Sequence, residues 1–547
     1  MNKKQEWSLQ ILLAAGAAVS LFLFLTNAIP LIQWGWIGEM AKKSRYVRPM
    51  QISVAIFFTI LLAVNLWAPA LYARLYPVRA LRRLMRLRLR YLLAGMGIAY
   101  ALTFIAVGFA RHEALETRAF DLGIFAQAVW NTLQGDFLHC SLKNDICLLG
   151  DHFSPLVAAL APLYALWQDP RMLLIVQACA GAACIVPIAW VAREQLKERG
   201  WILAFAVAFC LFWPAKSVLH EDFHPEVLVE PLLLLAFILL EKKRLGWFLA
   251  CLLAAVSAKE NIWGIAFMFG VYAFVWKRLR GLGAGLMAVS AGMFLVSVNV
   301  LIPFFGDGSY LYRGSYAGLL QNPAGGIVRS LVNPESLHYI SKLFGPLLFT
   351  SFFHPPTLVL TFPVLFQNLL SLNPAMRSTN YHYTAGLTPF LFVSSVYGLK
   401  ALLSRKILPG RTGTWVILVF LAVGVLNSGA SEYFYIWKSR KHMTPHSRAV
   451  IEKLRAVAPG ASVLTHNNFV PQLVNRKRIY QFEYIPSPTK AEQARNLGVD
   501  FVIFDAAFWE PGTAPVETAA NELIKYGYAL EYTQDGFSIY RKAGNIR

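Results

Sequence analysis

"FDLGIFAQAVWNTLQGDF", Phe120 to Phe137, follows an apolar run long enough to cross a bilayer and opens with one acid among apolar residues. Leu122, Phe125, Val129 and Leu133 fall on one helical stripe, and Gln127, Asn131 and Gln134 on the other. That is the pattern of a helix lying along a membrane surface rather than passing through it. The composition supplies the membrane: of 547 residues 56% are hydrophobic and 15% charged, against about 25% charged in a soluble domain.

Outward from this stretch, apolar runs of span length recur from Leu9 to Leu426. At about 20 residues per crossing, with shorter tilted pieces allowed, the chain is expected to make about thirteen spans. They fall near residues 9–32, 52–72, 91–110, 171–192, 201–219, 225–241, 246–258, 261–276, 284–304, 338–353, 357–372, 384–402 and 413–430. The 51 basic residues outnumber the 30 acidic ones, giving +21. They cluster in short loops between spans, such as Ala73 to Arg90, "REQLKERG", "EKKR" and "KRLRG", and such clusters mark the cytoplasmic side. The excess charge therefore belongs to membrane topology, and nucleic acid is excluded as a partner. The amino terminus is expected to be cytoplasmic and the carboxyl tail extracytoplasmic. The basic loop from Glu39 to Arg48 would then lie outside, which leaves the orientation of the first two spans open.

Three parts are expected: a basic two-span extension over 1–90, a membrane core over 91–430 with large external loops at 111–169 and 306–337, and a polar domain over 431–547. In the last part short β-rich runs ("SVLTH", "DFVIFD", "FSIYRK") alternate with helical ones ("SRAVIEKLRAV", "VETAANELIKYGY"), which predicts a small α/β fold. "HFSPLVAALAPLYALWQ", from His152, is short and proline-broken, and reads as a half-helix dipping in from the external side. Cys140 and Cys147 share an external loop; a disulfide and two free thiols both remain open.

With this topology, ionisable residues at the ends of apolar runs sort to one side: Asp121, Asp151, His152, Asp222, His224, Glu226, Lys259, Glu260, Arg377 and His382, with Tyr381 beside the last. Charges at membrane depth are costly and usually face a cavity or one another, so a shared polar pocket is expected. Each also has a plainer explanation. Asp121 suits a helix N-cap, His224-Pro225-Glu226 suits a helix start, and Tyr381-His382-Tyr383 suits an aromatic interface belt. A divalent metal is compatible with these residue types, but no local spacing resembles a zinc motif.

Taken together, "FDLGIFAQAVWNTLQG", "GDHFSPLVAALAPLYAL", "FHPE", "KEN" and "YHYTAGLTPFLF" resemble bacterial multi-pass proteins grouped as domain of unknown function 2079 and placed with the GT-C glycosyltransferases. The resemblance implies an α-helical polytopic core of GT-C type in the bacterial plasma membrane, with the small α/β domain outside. It implies a catalytic acid after the first core span, at Asp121. It also implies a polyprenyl-phosphate-linked sugar as donor and an extracytoplasmic glycan, lipid or protein as acceptor. Asp121 would act as general base, and Lys259, Arg377, His224 and His382 would face the leaving phosphate. A lipid-linked substrate transporter and a non-catalytic cell-envelope assembly protein are the alternatives. Charges gathered on one face, with no internal counterpart, favour one-sided chemistry over transport.

Overall fold

Prolines and glycines decide where the apolar runs break. The computed structural model describes residues 88–316, 323–405, 431–482, 490–508 and 516–544. Within them, three helices are long and apolar enough to cross a membrane: Leu89–Glu113, Arg171–Leu196 and Arg280–Phe305. A bent pair, Arg199–Leu211 and Trp213–His220, meets the same length and apolarity only when its two halves, 43° apart, are taken together. The bend follows from the extended backbone of Phe212 and from Pro214, which has no N–H for the ladder. Glu226–Glu241, Leu245–Val256, Ile262–Val275, Pro355–Leu370 and Thr388–Ser404 are apolar but shorter.

The described residues therefore hold fewer span-length helices than the sequence suggests. The expected crossing at 338–353 is broken: helix Pro334–Phe344 ends at Gly345, and Leu348 and Phe349 take left-handed backbone at φ 53° and 52°. The run from His152 forms two short pieces, Pro155–Leu160 and Ala161–Leu166. The expected spans near 9–32, 52–72 and 413–430, and nearly all of the basic extension, lie outside the described residues.

Two close backbone approaches fix how helix Arg280–Phe305 sits, one near its start and one just past its end. Helices Ile262–Val275 and Arg280–Val296 meet through small residues, since a Cβ on Gly270 would lie 2.8 Å from Gly283 O. A Cβ on Gly150 would lie 2.5 Å from the Gly306 Cα, so only glycine lets the end of helix Arg280–Phe305 dock on the first loop. This contact delivers the segment after Gly306, with Tyr310 and Tyr312, to the same loop.

The carboxyl-terminal part carries a five-stranded sheet of order β4-β3-β5-β7-β6, from β3 (Val463–Thr465), β4 (Ile479–Gln481), β5 (Phe501–Asp505), β6 (Tyr528–Gln534) and β7 (Phe537–Lys542). β3 runs parallel to β4 and β5, and β7 is antiparallel to β5 and β6. Side chains alternate along each strand. Leu464, Tyr480, Val502, Phe504 and Tyr540 pack with residues such as Ala491, Ala494 and Leu523 of the covering helices. Val463, Ile479, Phe501, Ile503, Phe537 and Ile539 share one apolar core with the first loop.

That shared core corrects one expectation. Helix Ile124–Leu133 buries most of its polar stripe: Gln127 and Asn131 are both 0% exposed, while Gln134, just past its end, is exposed. The Gln127 amide donates to Ser141 Oγ, Arg476 O and Lys477 O, and the Asn131 amide donates to His139 O. The helix is covered by protein where the periodicity suggests solvent. The two cysteines are free thiols. In the hairpin of β1 (His139–Cys140) and β2 (Ile146–Cys147), Cys140 pairs with Ile146 and Cys147 with His139, so the sulfurs leave on opposite faces and no bond joins them.

Candidate active site

Asp121 sits in a turn between the long helix Leu89–Glu113 and helix Ile124–Leu133, with φ 73° and ψ −88°. This is close to the strained γ-turn conformation, which a non-glycine residue holds only when its surroundings impose it. The surroundings do so from two directions. The Ala119 N–H donates to Asn467 through both its backbone oxygen (2.9 Å) and its Oδ1 (2.7 Å), and the Arg118 N–H donates to Asp222 Oδ2 at 2.7 Å. Asp121 is not a helix cap: the helix begins after Gly123 with no side-chain cap bond. The carboxylate instead faces His224, whose Nε2 lies 3.0 Å from Oδ1.

His224 is fixed through its other nitrogen, since Nδ1 is 2.8 Å from Asp222 O, a carbonyl that can only accept. Its ring stacks on His382 with centroids 3.6 Å apart. Burial favours the neutral His224 ring, but Asp121, Glu226 and Glu221 outweigh it and raise the pKa to about 9. Burial, together with the positive charge on His224, holds His382 below the ordinary imidazole value. One ring of the stack is thus charged and the other neutral. For Asp121, burial pushes the carboxyl up, but His224 prevails and the net shift is downward. Asp222 behaves oppositely: burial raises it to about 6 despite Arg111 at 3.1 Å.

Two cavities meet at this turn. The narrower, of about 260 Å³, runs from Asp121 towards the spans. Its wall is a chain of paired charges. Lys259 Nζ donates to Glu226 Oε1 at 2.5 Å. Glu260 Oε1 lies 2.9 Å from His152 Nδ1 and accepts from the Tyr310 hydroxyl at 3.1 Å. Asp151 pairs with Lys143 at 3.0 Å and accepts from the Tyr312 hydroxyl, and the Tyr312 ring stacks on His152. Burial pushes the Glu260 carboxyl up, but His152 and Lys259 hold it at about 2.

The wider cavity, of about 1210 Å³, opens on the other side of Asp121. Phe120, Asp121, His382 and Tyr383 line both. Its wall combines Arg111 and Arg118 with Trp213, Glu221, Asp222 and Tyr381, and is completed by carboxyl-terminal residues including Lys438, Lys441, His446, Asn467 and Phe508.

The structure therefore gathers most of the ionisable set expected from the sequence. Asp121, Asp151, His152, His224, Glu226, Lys259, Glu260 and His382 line the narrow cavity, and Asp222 and Tyr381 the wide one. Arg377 is the exception. The turn Pro374–Arg377 packs beside helix Pro334–Phe344, and the guanidinium lies 3.7 Å from Glu335 in a separate small cavity. Sequence reasoning misses Lys143, Tyr310, Tyr312 and Asn467; the tyrosine-rich run "SYLYRGSY" is the one local signal among them. Glu221, His224 and His382 each bring a ligand atom within 4.8 Å of the others and could hold a metal ion. They come from two loops far apart in sequence, which is why no local motif announces them.

Comparison with known proteins places this geometry in context. A family model described as "Predicted membrane protein (DUF2079)" matches residues 111–539. No curated protein matches the chain. Among solved structures, ArnT from Cupriavidus metallidurans bound to undecaprenyl phosphate aligns with a TM-score of 0.50 at 13% identity, covering 83% of this chain and 98% of that one. The apo state of the same protein aligns with a TM-score of 0.44 at 12% identity, covering 81% and 98%. The likeness to the undecaprenyl-phosphate-bound structure is one of fold.

Proposed function

This chain belongs to the family of predicted membrane proteins DUF2079, and on that premise we propose that it is an integral membrane glycosyltransferase. It moves a sugar from a polyprenyl-phosphate carrier to an acceptor hydroxyl, with Asp121 as general base. The observation that carries the reading is the placement of one carboxylate, in a strained turn, at the junction of two cavities of different size.

In this reading the narrow cavity takes the sugar phosphate of the donor, with the hydroxyls of Tyr310 and Tyr312 and the carboxylates of Asp151 and Glu260 facing sugar hydroxyls. The acceptor oxygen approaches from the wide side and bonds to the anomeric carbon. The bond from that carbon to the phosphate oxygen breaks, and the carrier leaves as a lipid phosphate. The acceptor proton passes to Asp121. A single displacement inverts the sugar. Lys259 and Lys143, fixed by their carboxylates, and the His224 imidazolium face the negative charge that grows on the phosphate. The same reading assigns the site to the extracytoplasmic side of a bacterial plasma membrane, the core to residues 91–430 and the polar domain to 431–547.

The test is transfer from radiolabelled undecaprenyl-phosphate sugars to cell-envelope extract by purified protein. Asp121→Asn, nearly isosteric, is expected to lower turnover by about 10³-fold. Equal turnover by wild type and variant would remove Asp121 from the chemistry.

A further inference from the structure

The wide cavity contains more cationic groups than its acids engage. Four acids line it, and each has a partner: Asp121 faces His224, Glu221 faces His382, Asp222 faces Arg111, and Glu116 accepts from Ser439 and lies 2.7 Å from His442. Beyond those pairs the wall carries Arg118 and Lys438, neither of which is engaged by an acid among the described residues, and Lys441 as a third cation.

The arrangement is set by a helix. In Ser431–His442, residues 438, 441 and 442 stand at spacings of three and four, which puts them on one face. That face lines the cavity, whereas Arg440, one position from Lys441, does not. Basic residues in the last turn of a helix complement its dipole, and this alone accounts for some positive charge there. It does not account for Arg118, which reaches the same cavity from the Asp121 turn, nor for His446, contributed by the next helix and held at 2.7 Å by the buried Asp505. The helix is held in place: the Glu116 contacts to Ser439 and His442 fasten it to the segment that leads into Asp121. Aromatic residues Trp213, Tyr381 and Phe508 complete the wall.

Resting on the transferase reading, we infer that the wide cavity receives the acceptor and that the acceptor carries a phosphate group, bound by Arg118, Lys438 and Lys441. Several cations lining one cavity fit a group of charge about −2 better than a single carboxylate. The phosphate could belong to a water-soluble glycan or to a lipid headgroup.

The experiment uses the full chain in nanodiscs and equilibrium binding of three probes: glucose 6-phosphate, glucose, and dihexanoyl phosphatidic acid. Expected are binding of at least one phosphate probe, at least tenfold tighter than glucose, and a loss of at least tenfold in the double variant Lys438→Glu and Lys441→Glu. Arg440→Glu, a charge reversal on the same helix but off the cavity wall, is expected to stay within twofold of wild type. Binding of glucose 6-phosphate identifies a soluble source, and binding of the lipid alone identifies a headgroup; either supports the assignment. Failure of both phosphate probes, or equal loss in Arg440→Glu, overturns it. Hydrolysis of the labelled donor without acceptor, followed in the same preparations, keeps the two readings apart. Donor turnover with no phosphate binding sinks the acceptor assignment alone, and phosphate binding with no donor turnover from any sugar sinks the transferase reading on which it rests.

Discussion

The two cavities that share Asp121 are built on opposite electrostatic plans. In the narrow one, Lys259, Lys143 and His152 are each held by a carboxylate, in contacts of 2.5 to 3.0 Å, and the tyrosine hydroxyls are bonded into the same chain. In the wide one, each lining acid has a partner, and Arg118 and Lys438 are engaged by no acid among the described residues. A closed network holds its charges at fixed positions before the substrate arrives, which suits stabilisation of a developing charge. An open cationic wall suits capture of an anion that varies in shape. One turn can serve both because it is fixed from the core side by Asp222 and from the carboxyl-terminal side by Asn467.

The contrast can be broken by removing a member of either plan. Among the cations of the two walls, the largest effect is expected from Lys259→Met, which leaves Glu226 without its ammonium and takes a cation from the leaving phosphate. Turnover should fall about 10²-fold with binding of glucose 6-phosphate unchanged, as measured by single-turnover transfer and equilibrium binding. A comparable loss of phosphate binding would mean that the cavities are not separate.

A pH profile probes the junction. The charged His224 requires its proton, so turnover is expected to decline as pH rises through about 9. The same pair contributes to stability. Because the folded value lies above the unfolded one of about 6.5, that contribution is complete below pH 6.5 and is lost as pH rises through about 9. His224→Gln should abolish this dependence in both rate and thermal unfolding.

Smaller still is the expected effect of Asn467→Ala, which removes one of the two acceptors for the Ala119 N–H and loosens the turn from the carboxyl-terminal side. A drop of about tenfold in kcat with KM for donor unchanged would mark a positioning role, and restoration by Asn467→Asp, which keeps the acceptor oxygen, would set it apart from general destabilisation. The smallest effect is that of Cys147→Ser. Because the thiol is free, its removal should change stability by less than about 0.5 kcal/mol, read from thermal unfolding under oxidising conditions.

Much of the narrow cavity is legible in the sequence, for a physical reason. A charge at the end of an apolar run is expensive, so Asp121, His224, Glu226, Lys259 and Glu260 stand out against their neighbours. Lys438, Lys441 and Asn467 do not, because charges and amides in a polar segment look like any solvated face. The same ambiguity misleads the reading of helix Ile124–Leu133. Periodicity separates its two faces but does not say whether water or a β-sheet covers the polar one, and here Gln127 and Asn131 are buried by protein. Hydropathy finds the apolar runs, yet breaks such as the extended Phe212 before Pro214 turn long runs into bent pieces that a window average passes over. Arg377 fails for a different reason: its place depends on which way a short turn is folded.

The central claim is that the Asp121 carboxylate takes the proton of the acceptor. The most direct measurement is chemical rescue of Asp121→Gly, since glycine accepts φ 73° without strain and leaves room for a small carboxylic acid. Transfer from labelled undecaprenyl-phosphate sugar should fall about 10³-fold in this variant and recover in proportion to added formate, while wild type is unaffected by formate. Turnover at the wild-type rate without formate would contradict the account.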